Sequence, residues 1–282
     1  MNTILVTGSQ GFLGRVLSHQ LRPFDVNLVL TGRRSEQGIH LCDLTSITEV
    51  SMLVNIFKPD LIINCAAFVP KTSLDYQNKS LTRDSLSIIQ NIINTSSCPV
   101  INISSMTVYS HPDFVEHPCK ESDLLAPNSE YASSKLESES ILKTVSRPTL
   151  SIRIPGLFGL PKKSGLVYNT LSSCMNSCVP SLPNEPVLWS AMHVYDAASV
   201  VASIALNNLF IYPVINCGYQ GKININVFLD MVSQILNYPR FGKYVNHPSF
   251  EFDLSLLQSL NLLPYRSFKR ALSDFAVEIQ RI

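Results

Sequence analysis

Apolar runs and helical patterns alternate through the first half of the chain. Short runs rich in Val, Ile and Leu predict strands buried on both faces, and apolar residues at three- and four-residue spacing between them predict helices. The predicted strands are Thr3–Thr7, Asn27–Thr31, Leu61–Cys65, Val100–Ser104 and Thr149–Ile154. The predicted helices are Phe12–Leu21, Ile47–Phe57 (capped by Thr45 and ended by Lys58-Pro59), Ser85–Ile93 and one that starts after Ser129. This alternation is typical of an α/β fold with a doubly wound parallel sheet.

The pattern changes after Ile154. Residues 155–192 contain prolines at 155, 161, 180, 183 and 186, and they show one helical pattern, at Val167–Met175. The remaining predicted elements are a strand at Val214–Cys217 and helices at Asp196–Leu206, Val227–Leu236, Ser255–Leu260 and Ser267–Ile279. We therefore expect a large doubly wound domain over 1–155, to which 191–217 returns, and a smaller domain made of 156–190 and 218–282.

Composition narrows the class of protein. The chain has 282 residues, and its 22 Lys and Arg against 21 Asp and Glu leave a net charge of +1, which argues against a nucleic-acid partner. No apolar run approaches the ~18 residues of a membrane span, and no signal peptide is visible. Seven scattered cysteines without metal-ligand spacing predict reduced thiols, no metal site and a cytoplasmic location.

Three glycines lie at the junction of the first strand and the first helix. Gly8, Gly11 and Gly14 allow a tight turn there, and backbone N–H groups can then approach a pyrophosphate at the positive end of the helix dipole. A P-loop is excluded by spacing, because Leu13 stands where its next glycine is required. The alternative is an ordinary glycine-rich turn, but the position after an N-terminal strand favours dinucleotide binding.

The second strand ends without the carboxylate that would bind the ribose of NAD. The residues there are Thr31-Gly32-Arg33-Arg34, and the two guanidinium groups are placed to bind a 2′-phosphate. A solvated basic turn is the alternative. The position favours NADP(H) over NAD(H).

Two further motifs make a resemblance specific. Tyr131 and Lys135 form a Tyr-x-x-x-Lys motif on a predicted helix, and Ser104–Tyr109 closes the fourth strand. Together with the glycine loop, they resemble the extended short-chain dehydrogenase/reductase family. Weaker marks in family order are Asp43-Leu44, Asn64–Ala67, Arg153–Gly159, His193–Ala198 and Asn216–Gly218.

The resemblance implies a Rossmann fold and a role for each catalytic residue. Tyr131 donates the proton in ketone reduction, and Ser105, four residues before Tyr109, binds the substrate carbonyl. Lys135 holds the nicotinamide ribose. Because it lies on the same helical face as Tyr131, its charge is also expected to favour the tyrosinate form.

The resemblance further implies which residues bind the cofactor and how the chain assembles. The cofactor-binding residues are Gly8, Gln10, Gly11, Phe12, Leu13, Gly14, Arg33, Arg34, Asp43, Leu44, Cys65, Ala66, Ala67, Tyr131, Lys135 and Pro155. A homodimer is expected through helices near Ser85–Ile93 and Leu136–Val145.

Departures from the family pattern bear on the reaction. Met106 and Thr107 stand where related dehydratases carry an acidic pair, so simple carbonyl reduction is favoured. The layout is similar to the dTDP-4-dehydrorhamnose reductase group, which implies NADPH-dependent reduction of a 4-keto-6-deoxy nucleotide sugar for deoxysugar, lipopolysaccharide or O-antigen synthesis. A catalytically weak NADP-binding regulatory subunit, like that of methionine adenosyltransferase, and a nucleotide-sugar 4-epimerase are the alternatives. Tyr168, Asn169 and Trp189 are candidates for either substrate contact or packing.

Overall fold

The computed structural model describes residues 2–70, 72, 74–109, 117–239, 241 and 245–281. In this part of the chain, strands and helices alternate as the sequence predicts. The strands are β1 (Asn2–Thr7), β2 (Val26–Gly32), β3 (His40–Leu41), β4 (Leu61–Asn64), β5 (Val100–Ser105), β6 (Thr149–Ile154), β7 (Gly156–Phe158), β8 (Ala191–His193) and β9 (Val214–Asn216). The α-helices are α1 (Phe12–Leu21), α2 (Ile47–Phe57), α3 (Lys79–Thr95), α4 (Glu130–Lys143), α5 (Leu166–Met175), α6 (Val194–Leu206), α7 (Ile225–Leu236), α8 (Ser255–Ser259) and α9 (Phe268–Gln280). Two 3₁₀ helices span Leu74–Gln77 and Met106–Tyr109.

Seven strands form one sheet in the order β3-β2-β1-β4-β5-β6-β9. The strands from β3 to β5 are parallel, and Val6 of β1 pairs with Leu30 on one side and Ile63 on the other. The strand order reverses between β1 and β4, and a doubly wound sheet binds its ligand outside the carboxyl ends of the strands at such a reversal. The predicted fold class is confirmed.

The sheet is buried on both faces, as its uninterrupted apolar strands predict, because the successive residues Leu61, Ile62 and Ile63 of β4 are all buried. Leu5 and Ile62 from the central strands pack in one buried cluster with residues of α2, α3 and α4, among them Leu53, Ile89 and Leu142. Complete burial of such a side chain contributes roughly 1.5–3 kcal/mol.

Local hydrogen bonds determine where the helices begin. The predicted cap of α2 at Thr45 is wrong, because the Thr45 hydroxyl donates to the Asp43 carboxylate at 2.8 Å, and Ser46 accepts from the Glu49 N–H instead. Lys58 ends this helix in a left-handed conformation, with φ of 44°. Ser129 caps α4 by accepting from the Ala132 N–H at 3.1 Å, which places Tyr131 in the first turn.

The chain divides into two compact units. The first combines the described residues of 1–110, 124–153 and 198–215, and the second those of 111–123, 154–197 and 216–282. The division after 153 lies next to the boundary expected at 155, whereas β8 groups with the second unit and not with the first. None of the described helices is long and apolar enough to cross a membrane.

The second unit has a small sheet and an aromatic core. Strands β7 and β8 are parallel, with Phe158 opposite His193. Trp189 packs on Phe228, with ring centres 5.2 Å apart, and Tyr168 lies 6.4 Å from Phe275. The ring contacts of Trp189 and Tyr168 are therefore packing contacts within this unit.

Candidate active site

The glycine loop after β1 is packed so tightly that side chains would not fit. Gly8 has a φ of +63°, and a Cβ atom there would lie 2.7 Å from the Ala66 backbone nitrogen. A Cβ atom on Gly14 would lie 2.3 Å from the Gly8 carbonyl oxygen. The first turn of α1, which begins at Phe12 after the cap residue Gly11, directs its N–H groups toward this loop. This cradle fits the pyrophosphate of a dinucleotide.

A buried chain of polar side chains supports the loop from below. The Thr7 hydroxyl donates to the Asn64 amide oxygen at 2.6 Å, and the Asn64 amide nitrogen donates to Asn102 at 2.8 Å. The chain links the carboxyl ends of β1 and β4 to the middle of β5. Sequence reasoning missed Asn102, because a single polar residue inside an apolar strand carries no signal of its partner.

Gln10 links the glycine loop to the backbone of the turn after β2. Its amide nitrogen donates to the Arg34 carbonyl at 2.8 Å, and its amide oxygen accepts from the Arg34 N–H at 3.0 Å. The same amide lies over Gly32, where a Cβ atom would come within 2.2 Å of the Gln10 oxygen. The side chains of Arg33 and Arg34 are exposed beyond the end of β2.

A carboxylate that sequence reasoning missed lies beside this turn. Glu36 accepts hydrogen bonds from Gln10 at 3.2 Å and from both terminal nitrogens of Arg15, at 3.1 and 3.3 Å. These hydrogen bonds, first with Gln10 and then with Arg15, lower the pKa of Glu36. The turn thus contains an anion whose charge Arg15 balances.

The other predicted cofactor residues lie in the loops after β3 and β4 and after β6. Asp43 is exposed, whereas the Leu44 side chain is buried and its carbonyl accepts from Asn91 at 2.9 Å. The loop Cys65–Ala67 follows β4, and the Cys65 N–H donates to the Thr7 carbonyl at 3.2 Å. Pro155 follows β6 and belongs to the second unit.

The three predicted catalytic residues come together at the end of β5 and the start of α4. The Ser105 hydroxyl oxygen accepts from the Thr107 hydroxyl at 3.0 Å and forms a hydrogen bond with Tyr131. The Lys135 ammonium lies 5.7 Å from the centre of the Tyr131 ring and donates to the Ile103 carbonyl at 2.9 Å. The neighbouring Ser104 donates instead to Glu139, at 2.6 Å. Of the two serines, Ser105 is therefore the one that faces Tyr131.

Burial dominates the electrostatics of this cluster. It raises the pKa of Tyr131 above its usual range, with Tyr76 adding to the effect and the Ser105 hydrogen bond opposing it. It lowers the pKa of Lys135 to about 8, against the opposing effects of Cys65 and Glu139. The expected lowering of the Tyr131 pKa by Lys135 is not among these effects, and the ammonium donates to the Ile103 carbonyl. The phenol is kept protonated, as a proton donor must be.

Tyr76 is a second aromatic residue at the cluster that sequence reasoning missed. Its ring packs edge-on against Tyr131, with ring centres 5.7 Å apart, and the residue is 38% exposed. Its 3₁₀ helix lies in a segment without periodicity, so no pattern indicated its position. Among the described residues, no group of three or more His, Cys, Asp or Glu could hold a metal ion.

A glycine cradle at the strand-order reversal and a Ser-Tyr-Lys cluster on the next strand and helix define a class. It is that of dinucleotide-binding proteins of the extended short-chain dehydrogenase/reductase type. Residues 4–218 match the model of the NAD dependent epimerase/dehydratase family. The chain belongs to this family.

Similar proteins include enzymes and a subunit of an enzyme. A dTDP-4-dehydrorhamnose reductase from Aggregatibacter actinomycetemcomitans is 28% identical over 164 residues, 56% of this chain and 53% of that protein. Methionine adenosyltransferase 2 subunit beta from Pongo abelii is 24% identical over 165 residues, 57% of this chain and 48% of that protein. The chain thus spans about half the length of these curated relatives.

The fold is shared over the whole chain with solved structures. That of UDP-N-acetylglucosamine 4-epimerase from Bacillus cereus superimposes with a TM-score of 0.80 and 16% identity, covering 99% of this chain and 100% of that one. At this identity, the likeness concerns the fold alone.

Proposed function

We propose that the protein is an NADPH-dependent reductase of a 4-keto-6-deoxy nucleotide sugar. The observation that carries the proposal is the cluster of Ser105, Tyr131 and Lys135, whose neighbours Met106 and Thr107 supply neither an acid nor a base. Proton abstraction from carbon, which dehydration requires, has no candidate base at these two positions. The similarity to a dTDP-4-dehydrorhamnose reductase supports the substrate class.

The residues present fit a dinucleotide. The cradle of Gly8, Gly11 and Gly14 would hold the pyrophosphate, and the residues after β2, β3 and β4 would hold the adenosine and ribose. NADPH, when bound, supplies the hydride.

The catalytic residues of the chain would then handle the oxygen of the substrate. Ser105 donates a hydrogen bond to the carbonyl, which orients it and stabilises the charge that develops on its oxygen. Tyr131 gives its phenolic proton to that oxygen. Lys135, once turned from the Ile103 carbonyl, holds the nicotinamide ribose hydroxyls with its ammonium group.

A preference for NADP(H) over NAD(H) is part of the proposal. The exposed guanidinium groups of Arg33 and Arg34 would form charge-assisted bonds with a 2′-phosphate. Glu36 is the opposing feature, since a carboxylate repels that phosphate, but Arg15 neutralises it at 3.1 Å.

The assembly, location and pathway of the protein are also part of the proposal. We expect a cytoplasmic homodimer that acts in deoxysugar or polysaccharide precursor synthesis, with the smaller unit carrying the substrate-binding residues. A catalytically weak regulatory subunit is the second candidate, and the similarity to a subunit of methionine adenosyltransferase favours it.

Turnover separates the two candidates. Purified protein is incubated with a panel of 4-keto nucleotide sugars and NADPH, and oxidation of the cofactor is followed by its absorbance. A reductase consumes NADPH with at least one sugar, and Tyr131→Phe removes that activity. Binding of NADPH without consumption on any member of the panel contradicts the proposal and favours the regulatory subunit.

A further inference from the structure

A fully buried ion pair lies beside the catalytic cluster. Glu139 of α4 and Arg153 of β6 are each 1% exposed. Two nitrogens of Arg153 donate to the Glu139 carboxylate, Nε to Oε1 at 3.0 Å and Nη2 to Oε2 at 2.7 Å. Removing two charges from water is costly, so such a pair is a poor source of stability by itself. Its effect on the site is a better explanation of its presence.

The pair is connected to both sides of the catalytic serine. Ser104, immediately before Ser105, donates to Glu139 Oε1 at 2.6 Å. On the other side, Arg153 Nη1 donates to the hydroxyl of Tyr109 at 2.5 Å, and the guanidinium lies 4.8 Å from the ring centre. The segment from β5 through the 3₁₀ helix is thus tied to α4 and β6 at two points that flank Ser105.

The same carboxylate bears on the charge of Lys135. Lys135 lies one helical turn before Glu139 and is 7% exposed. The buried cations Lys135 and Arg153 share one buried anion, Glu139. Because Arg153 cannot lose its proton, Lys135 is the group that is deprotonated first. The Lys135 ammonium lies by the Tyr131 ring and the Ile103 carbonyl, and the groups whose charge acts on its pKa are the Cys65 thiol and the Glu139 carboxylate. Of these, Glu139 carries the negative charge.

We propose that Glu139 is a positioning residue of the active site, whose buried carboxylate keeps Lys135 charged and, through Ser104, holds Ser105 in register with Tyr131 and Lys135. This rests on the proposed function, because it assigns Lys135 a role that requires the ammonium form. Glu139 itself touches neither of the reacting groups.

The first test removes the negative charge, and with it one of the two oxygens that accept from Arg153. Glu139→Gln is compared with Glu137→Gln, a matched control on the exposed face of the same helix. Without the Glu139 anion, the Lys135 ammonium is less stable, so the pH above which kcat declines moves down by about one unit. The control keeps the wild-type profile. An unchanged profile in Glu139→Gln overturns the proposal.

A titration without turnover keeps this test separate from the proposed function. Protein made with lysine labelled at Cε is titrated by NMR, and Lys135→Met assigns the signal. Glu139→Gln should lower the Lys135 midpoint, and Glu139→Asp, which keeps the charge, should restore most of it. If the wild type reduces no sugar, the proposed function fails while the titration still decides the electrostatic role. Equal Lys135 midpoints in the wild type and in both Glu139 variants overturn the electrostatic role of Glu139.

A milder variant tests the proposal if Glu139→Gln does not fold. Ser104→Ala removes one hydroxyl and leaves the ion pair intact. We expect kcat to fall about five- to tenfold, because Ser105 loses its register, with little change in KM or NADPH affinity. A role confined to folding would instead lower the unfolding temperature and leave kcat of the folded protein unchanged, which overturns the proposal.

Discussion

At the scale of single residues, Tyr131 is the most direct test of the chemistry. Tyr131→Phe keeps the ring and its edge-on contact with Tyr76 and removes only the phenolic hydroxyl. General acid catalysis contributes about 10²–10⁴-fold, so kcat should fall by that order while NADPH affinity is retained. Steady-state turnover and a fluorescence titration with NADPH measure the two quantities. Ser105→Ala should cost less, and wild-type turnover in Tyr131→Phe would refute the assignment.

Lys135 is predicted to support activity at the expense of stability. Burial lowers its pKa from 10.5 to about 8 in the folded protein, so holding the proton at pH 7 costs about 3 kcal/mol. Lys135→Met should therefore raise the free energy of unfolding at pH 7 while it impairs turnover and NADPH binding.

The effect of Lys135 on the free energy of unfolding depends on pH. Between pH 8 and 10.5 the unfolded chain binds a proton at Lys135 and the folded protein does not, so the wild type gains stability as pH rises. The advantage of Lys135→Met should shrink over this range in urea unfolding. An advantage that is constant with pH would show that the ammonium is not the cause.

At the scale of elements, the β1–α1 loop depends on the absence of a side chain. Gly8→Ala combines a φ of +63° with a Cβ atom 2.7 Å from the Ala66 nitrogen, so the backbone must move and the pyrophosphate cradle is lost. Gly38→Ala is the matched control, because Gly38 has a φ of +76° but no atom within 4 Å. The control should cost about 1 kcal/mol of stability and keep NADPH affinity, as measured by calorimetry. Equal loss of affinity in both variants would contradict the cradle.

The turn after β2 is predicted to select the cofactor. Replacing both Arg33 and Arg34 by alanine should weaken NADPH binding by tens-fold or more, because each charge-assisted bond contributes roughly 1.5–3 kcal/mol. NADH binding should change little. The test is to measure the dissociation constants of NADPH and NADH. Equal losses of affinity for the two cofactors would contradict binding of the 2′-phosphate by these arginines.

At the scale of the whole molecule, we expect two copies of the chain to form a homodimer. Helices α3 and α4 pack on each other and turn polar residues outward, among them Asp84, Gln90, Glu137 and Ser140. A dimer through these helices would have a polar seam and should weaken as salt screens it. We expect light scattering to give twice 31.4 kDa at micromolar concentration. A monomer mass at low salt would contradict the expectation.

Local pattern was sufficient for most of the fold. The strands from β1 to β6, apart from β3, were predicted within one residue at each end, since buried parallel strands are continuous apolar runs. The sequence missed β3, β7 and β8, which have two or three residues and contain no period to detect. It also placed the start of α3 at Ser85 instead of Lys79, because the first turns of that helix are polar.

The sequence by itself determined the class of protein, because its two main motifs are local. The glycine spacing specifies the backbone of the loop after β1, and the Tyr-x-x-x-Lys spacing places two side chains on one face of a helix. Only the tertiary structure decided which groups surround these residues. Glu36 lies 26 positions from Gln10, and Arg153 lies 44 positions from Tyr109, yet both pairs are hydrogen-bonded. Such contacts depend on strand order and helix packing, which bring distant segments together. The burial that sets the pKa of Lys135 arises in the same way, so it could not be read from spacing.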